Sequence, residues 1–193
     1  MQATMNRLEG LKNENILQLT CVYGDLTNNV LKKIAPNFLH ITDVAQLQLD
    51  NIREKLNNNT QLLAATMNAE QLAYKNDAFS TIILYFLLHE MPKGARRNTL
   101  SESLRVLSVG GSLIYAEYGA LPSKHLLYRF LPSRWLLTWL EPFLSDYWQE
   151  DIFALLNDLG QAHNKSVEIS SHHDFFFGFY RVTEFRVIAI NPQ

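Results

Sequence analysis

Cysteine, glycine and sustained charge of either sign are all scarce in this sequence, and each scarcity removes a class of protein. One cysteine in 193 residues leaves no internal disulfide framework and fits a reducing compartment. Seventeen Lys and Arg stand against nineteen Asp and Glu; without a dense basic stripe, nothing electrostatic points to nucleic acid. No apolar window is long enough to span a bilayer. The nearest approach, residues 125–144, "HLLYRFLPSRWLLTWLEPFL", is broken by Arg129, Pro132, Arg134 and Pro142. The opening "MQATMNRLEGLKNEN" lacks the apolar core of a secretory signal, so the expected location is cytoplasmic. A glycine-rich loop is missing too. Where a nucleotide-binding α/β domain places three glycines after its first strand, "CVYGDLT" offers Gly24 alone.

What is present is a globular composition, 47% hydrophobic and 19% charged, in a chain long enough for one domain with a sizeable core. Short apolar runs alternate with amphipathic stretches from Ile16 to Tyr118. The pattern predicts strands over Ile16–Val22, Phe38–Thr42, Gln61–Ala65 and Ser80–Leu88, with helices over Leu26–Ile34, Val44–Leu56 and Pro92–Val106. The apolar positions of the second helix are Val44, Leu47, Leu49, Ile52 and Leu56. Gly110 and Gly111 are expected to turn the chain into a fifth strand, Ser112–Ala116. Strands alternating with helices predict an α/β fold, a mostly parallel sheet with helices on both faces. Beyond Tyr118, a helix over Tyr147–Leu159 and strands over Ser166–Ser170 and Phe179–Ile190 predict an antiparallel C-terminal edge. The expected organisation is a single domain, residues 1–193, with a core over 15–118, a substrate cover over 119–162 and terminal strands over 163–193.

In an open α/β sheet, ligands sit outside the carboxyl ends of the strands. The candidates are therefore Tyr23, Gly24 and Asp25 after the first strand, and Asp43 after the second. Met67, Asn68 and Ala69 follow the third, His89 and Glu90 the fourth, Glu117 and Tyr118 the fifth. A carboxylate closing the second strand is suited to accept hydrogen bonds from both ribose hydroxyls. Asn68 can both donate to and accept from an adenine edge.

The order "LQLTCVYGD … HITDVAQLQLDNIREKL … TMNAEQLAYKNDAFSTIILYFLLHEMP … LRVLSVGGSLIYAEYG" resembles the class I S-adenosylmethionine-dependent methyltransferase fold, a Rossmann-like sheet, over about residues 15–118. Within that superfamily, "CVYGDLT", "FLLHE.P", "LEPF…D.W" and the late "F.G.Y" are similar to the rhodoquinone-biosynthesis methyltransferase-like family, which also lacks the usual glycine-rich signature. The resemblance implies S-adenosylmethionine as cofactor, with Mn²⁺ as a further expectation. It implies an apolar small-molecule acceptor such as a quinone, in which an amino group replaces a methoxy group. An ordinary O-, N- or C-methyltransferase and a non-catalytic cofactor-binding relative are the alternatives. The implied cofactor residues are Cys21, Tyr23, Gly24, Asp25, Asp43, Val44, Asn68, Ala69 and Leu87. Because S-adenosylmethionine carries no phosphate, one glycine with a helix N-terminus suffices where dinucleotides need three. The loop after the fifth strand reads "AEYGALP", where the closest family has a basic, His-containing one.

His89 and Glu90 are the candidate catalytic residues. His89 can act as a base or orient a substrate, or it can simply cap a strand. "HEMPK" is not the zinc-binding HExxH, because residue 93 is Lys. His172, His173 and Asp174 read as a polar loop between strands, with metal ligation as the alternative. Tyr118, Trp135, Trp139 and Trp148 are the candidate substrate residues. Residues 121–148 form either a cover in peripheral contact with a membrane or a plain hydrophobic layer over the sheet.

Overall fold

The computed structural model describes residues 4–5, 14–21, 25–34, 36, 38–57, 59–119, 139 and 141–190. Seven strands form one sheet in the order β3-β2-β1-β4-β5-β7-β6. The first five, β1 (Asn15–Leu19), β2 (Phe38–Asp43), β3 (Leu62–Thr66), β4 (Phe79–Tyr85) and β5 (Leu107–Tyr118), run parallel. The last two, β6 (Lys165–Phe175) and β7 (Tyr180–Ala189), form a hairpin. β7 enters antiparallel beside β5, from Ser112↔Arg186 to Tyr118↔Tyr180, and leaves β6 at the edge. The mostly parallel sheet with an antiparallel C-terminal edge is as the sequence predicts.

The helices are α1 (Leu26–Asn29), which continues into a π-helical turn over Val30–Ile34, then α2 (Gln46–Lys55), α3 (Lys93–Val106), α4 (Leu144–Tyr147) and α5 (Ile152–Gly160). Because side chains alternate along a strand, the buried strands feed two cores. Leu17, Leu19, Ile82, Leu84, Leu113 and Tyr115 face α3, α4 and α5. Ile16, Ile83, Ile114 and Ala116 face α1 and its π turn. Strands covered on both faces need no polar alternation, which is why "STIILY" reads as one apolar run. The helical part of the expected cover over 119–162 contributes Leu144, Tyr147, Ile152, Leu155 and Leu156 to the first core.

Three local expectations are corrected. The first and fourth strands stop earlier than predicted, at Leu19 and Tyr85, because Thr20 and Phe86 turn into the left-handed region at φ 75° and 52°. The second helix begins at Gln46 rather than Val44, and the apolar Val44 and Leu47 are each 70% exposed. Leu49 and Ile52 take the buried stripe, and Leu47, two positions from Leu49, falls on the opposite side of a helix with 3.6 residues per turn. Gly110 and Gly111 do not turn the chain into a new strand; they kink one continuous β5. Gly110 sits at φ 80°, and a Cβ on Gly111 would lie 2.7 Å from the Ser80 carbonyl oxygen. The register with β4 shifts at this point, between Phe79 and Thr81.

Two buried cations tie the layers together. The Lys165 ammonium, from β6, donates to the Leu104 and Leu107 carbonyls at the end of α3 (2.7 and 2.6 Å) and to Asp77 at 2.6 Å. Arg96 in α3 is fully buried and donates to the Met91 carbonyl (3.0 Å) and Asp146 (2.6 Å). It also meets Glu150 in an ion contact at 2.6 Å that is off hydrogen-bond geometry. Removing one partner of a buried ion pair strands the other. Arg96→Ala is therefore expected to cost about 3–5 kcal/mol in urea unfolding; a loss below about 1 kcal/mol would show that the cation carries no structural weight.

Candidate functional site

The strand order reverses between β1 and β4, so the crevice outside their carboxyl ends is where an open α/β sheet binds ligands. Both strands end in strained backbone. Thr20 is β-branched, and the left-handed region is unfavourable for it. Its N–H donates to the Thr42 carbonyl at 2.7 Å, and the Phe86 N–H donates to the Ala116 carbonyl at 2.8 Å. Beneath the first turn, the fully buried Gln18 amide donates to the Thr20 carbonyl (3.0 Å) and to the Thr27 hydroxyl of α1 (3.2 Å). Strain held by surrounding bonds is typical of working sites.

On the β1–β2 side, Asp43 organises the crevice. Its Oδ2 accepts from the Cys21 N–H and its Oδ1 from the Ala45 N–H, each at 2.8 Å. Its own carbonyl accepts from the Met67 N–H at 3.1 Å, so the ends of β1, β2 and β3 meet at this residue. Each carboxylate oxygen can accept more than one bond, leaving capacity for a diol. Cys21 is half-buried; burial first, and the Asp43 charge second, push its thiol up to about 12, so it stays neutral and unreactive.

The remaining expected cofactor residues separate. Asp25 pairs with Lys55 of α2 at 3.2 Å. Asn68 is exposed and its side-chain oxygen caps the Glu70 N–H at 2.9 Å. Ala69 and Leu87 are buried in the core, and Val44 stands exposed on the rim. The loop carrying Asn68 is fastened by Arg105, which donates to the Leu72 and Tyr74 carbonyls at 2.8 Å each. Tyr23, Gly24 and Trp135 lie outside the described residues.

On the β4–β5 side stands His89, only 4% exposed, in a short 3₁₀ turn over Leu88–Glu90. Its Nδ1 is 2.7 Å from Oε2 of Glu117, which is completely buried at the end of β5. Glu117 also accepts from the Leu88 N–H at 2.7 Å and the Tyr118 N–H at 3.3 Å. His89 Nε2 lies 3.9 Å from both Glu90 and Glu141. Burial works against the imidazolium, but the Glu117 hydrogen bond and the charges of Glu117, Glu141 and Glu90 outweigh it and raise the His89 pKa. Burial also raises the Glu90 carboxyl; His89 opposes this, while Glu141, Glu117 and Asp43 add to it.

Aromatic rings line the His89 side. Tyr118 stands edge-on to His89 at 4.7 Å, and Phe86 contacts both Tyr118 and Tyr180, at 5.6 and 5.3 Å. Burial, then the neighbouring tyrosine and carboxylates, push the Tyr118 phenol up to about 12, so it stays a hydrogen-bond donor. Trp139 is 68% exposed, and Trp148 is partly buried against the first core. Sequence reasoning missed Glu141, which became visible only once the fold brought it to His89. It also passed over Gln18, although one amide inside the apolar run "ILQLT" was a signal. His172, His173 and Asp174 form part of β6 rather than a loop: His172 contacts Thr183 at 2.8 Å and Asp174 at 3.3 Å. Among the described residues, no group of three or more His, Cys, Asp or Glu side chains is arranged to hold a metal ion. The described residues thus present no donor set for Mn²⁺.

Residues 16–111 match a family described as a methyltransferase domain. The chain carries a methyltransferase domain. S-adenosylmethionine is the methyl donor that such a domain implies. No curated protein matches by sequence. Among solved structures, a chain of the complex between the Haloferax volcanii Trm112 methyltransferase activator and a methyltransferase is 9% identical. The match covers 97% of this chain and 88% of that one, at a TM-score of 0.72. A methyltransferase from Bacillus halodurans C-125 is 21% identical over 90% of this chain and 71% of that one, at a TM-score of 0.65. An S-adenosylmethionine-dependent methyltransferase from Methanosarcina mazei is 13% identical over 97% of both, at a TM-score of 0.67. At these identities the structures share the fold.

Asp43→Ala is expected to weaken S-adenosylhomocysteine binding by about 2–3 kcal/mol, the worth of lost charge-assisted hydrogen bonds. Asp43→Asn, which keeps one carbonyl-type acceptor, is expected to fall between. Calorimetric titration checks both, and an unchanged dissociation constant in the alanine variant would remove Asp43 from the cofactor site.

Proposed function

We propose that this chain binds S-adenosylmethionine over the ends of β1, β2 and β3 and directs its methyl group to a small-molecule acceptor beside His89. The observation that carries this reading is that Asp43 and the His89–Glu117 pair stand at strand carboxyl ends on either side of the β1–β4 reversal. Asp43 offers free acceptor capacity where a ribose diol would lie. The bound cofactor supplies an electrophilic methyl on a sulfonium.

The chain's own contribution is positioning and proton handling. Glu117 fixes the His89 ring through Nδ1, so that Nε2 points toward the crevice. A base at this place must be neutral to act, and an imidazole with a raised pKa is a stronger base once neutral. Phe86, Tyr118 and Tyr180 give the acceptor an apolar wall, and this supports an acceptor with a ring or chain body. A quinone acceptor, as in the rhodoquinone-biosynthesis family, is a narrower version of the same reading. It draws support from these rings, and no step here is routed through a metal. Among the described residues, peripheral membrane contact through residues 121–148 has the exposed Trp139 and Phe143 behind it, and no helix is long and apolar enough to cross a membrane.

The decisive experiment is calorimetric titration with S-adenosylhomocysteine, followed by mass detection of methyl or amino products from candidate acceptors, ubiquinone with and without Mn²⁺ included. Absence of binding heat would favour a non-catalytic relative. His89→Ala is expected to lower turnover by about 10²–10⁴-fold with S-adenosylhomocysteine affinity unchanged. The pH profile follows from the raised pKa. Activity rises as His89 deprotonates, above its ordinary value near 6.5. Any stability His89 gains from its carboxylates is full below that ordinary value and is lost as pH climbs through the raised one. Glu117→Gln removes the largest raising influence and is expected to move the acid limb of the rate profile to lower pH. A limb that stays in place would show that Glu117 does not tune His89.

A further inference from the structure

We propose that the acceptor is an organic amine that arrives as an ammonium ion, its nitrogen held between Glu90, Glu141 and His89 Nε2 and its apolar body against Phe86, Tyr118 and Tyr180. This rests on the methyltransferase reading above and adds the substrate class.

Three observations converge on it. Glu90 and Glu141 both lie 3.9 Å from His89 Nε2, too far for direct hydrogen bonds and spaced for a donor among the three. His89 is 4% exposed with Nδ1 committed to Glu117, and its Nε2 has no hydrogen-bond partner among the described residues. Nε2 is thus an unpartnered polar atom, on an otherwise buried ring, beside the two carboxylates.

The charge balance is the second observation. Several other acidic groups near the helices have basic partners: Asp146 and Glu150 with Arg96, Glu102 with Arg105, Asp158 with Arg97. Among the described residues, Glu90 and Glu141 have no Lys or Arg, and Glu117 and Asp43 add negative charge nearby. Among the described residues, a neutral quinone leaves His89 as the one group that offsets this excess, and a carboxylate or phosphate meets repulsion. An ammonium compensates it and donates to all three groups.

The third is the ring lining. Tyr118 and Phe86 stand 4.7 and 6.1 Å from the His89 ring, and Tyr180 packs on both. Aromatic faces attract cations that carry an apolar body. Acid together with aromatic surface selects an amine over an alcohol of the same shape.

The site also answers the objection that an ammonium is no nucleophile. His89 Nε2 accepts one ammonium proton: the N–H bond breaks, its electron pair stays on nitrogen as the attacking lone pair, and the charge passes to the imidazole. Glu117 is already placed to stabilise that imidazolium. Glu117 acts through His89 and is a positioning residue.

The test titrates protein saturated with S-adenosylhomocysteine with phenethylamine, with phenethyl alcohol as neutral isostere, and with 3-phenylpropanoate as anion. The amine is expected to bind about tenfold or more tightly than the alcohol, as charge-assisted hydrogen bonds allow, and the anion not measurably. Glu90→Gln and Glu141→Gln are each expected to erode that preference while S-adenosylhomocysteine affinity holds. Alcohol or anion binding as well as the amine overturns the proposal. So do substitutions that weaken S-adenosylhomocysteine and spare the amine, which would assign the carboxylates to the cofactor's own ammonium. If S-adenosylhomocysteine itself does not bind, the methyltransferase reading falls and takes this with it; if it binds and no amine preference appears, the substrate assignment alone is overturned.

Discussion

The turn Leu88–Glu90 is clamped between a buried anion and a buried cation, and the site depends on that clamp. Glu117 is completely inaccessible, and a buried carboxylate has to be met by donors or it destabilises the fold by several kcal/mol. It draws in the Leu88 N–H, the His89 ring and the Tyr118 N–H. From the other side, Arg96 holds the Leu88 and Met91 carbonyls at 3.4 and 3.0 Å. The same guanidinium reaches Asp146 and Glu150 around α4. One pair of opposite charges thus fixes the turn that presents His89 and anchors the helix that follows Glu141. Loss of either ion would strand its own partners, His89 in the case of Glu117 and Asp146 and Glu150 in the case of Arg96.

The opposite wall of the crevice is built by a different means. Asp43 is partly exposed and gathers backbone N–H groups rather than charged side chains. A backbone-fixed carboxylate keeps its place without a cation, so its remaining lone pairs stay available. The contrast gives one side a single carboxylate held by backbone N–H groups and the other a cluster of carboxylates, a histidine and aromatic rings. Thr20 and Phe86, both strained, sit at the seam.

Much of this was legible beforehand, for identifiable reasons. Buried parallel strands announce themselves as apolar runs, so the five strands and the placement of Asp43, His89 and Glu117 at their carboxyl ends could be read directly. Resemblance in "DAFSTIILYFLLHEMP" carried the superfamily. What misled was local. Two glycines in a row look like a turn, but Gly111 is small because the Ser80 carbonyl approaches it. Val44 and Leu47 look like core, but the helix starts late and turns them outward. Histidines near a chain reversal look like a loop, but the β6–β7 hairpin extends past them to Phe175.

The sequence by itself determined the fold class, the strand ends that hold the polar residues, and the methyltransferase character, because hydrophobic period and motif order are properties of neighbouring residues. Which acids act together was decided only by the tertiary structure. Glu90, Glu117 and Glu141 span fifty-two residues and share no pattern, and a single histidine brings them to one point. The charge on a site is a sum over groups close in space, and spatial closeness between distant segments is what a linear pattern does not encode.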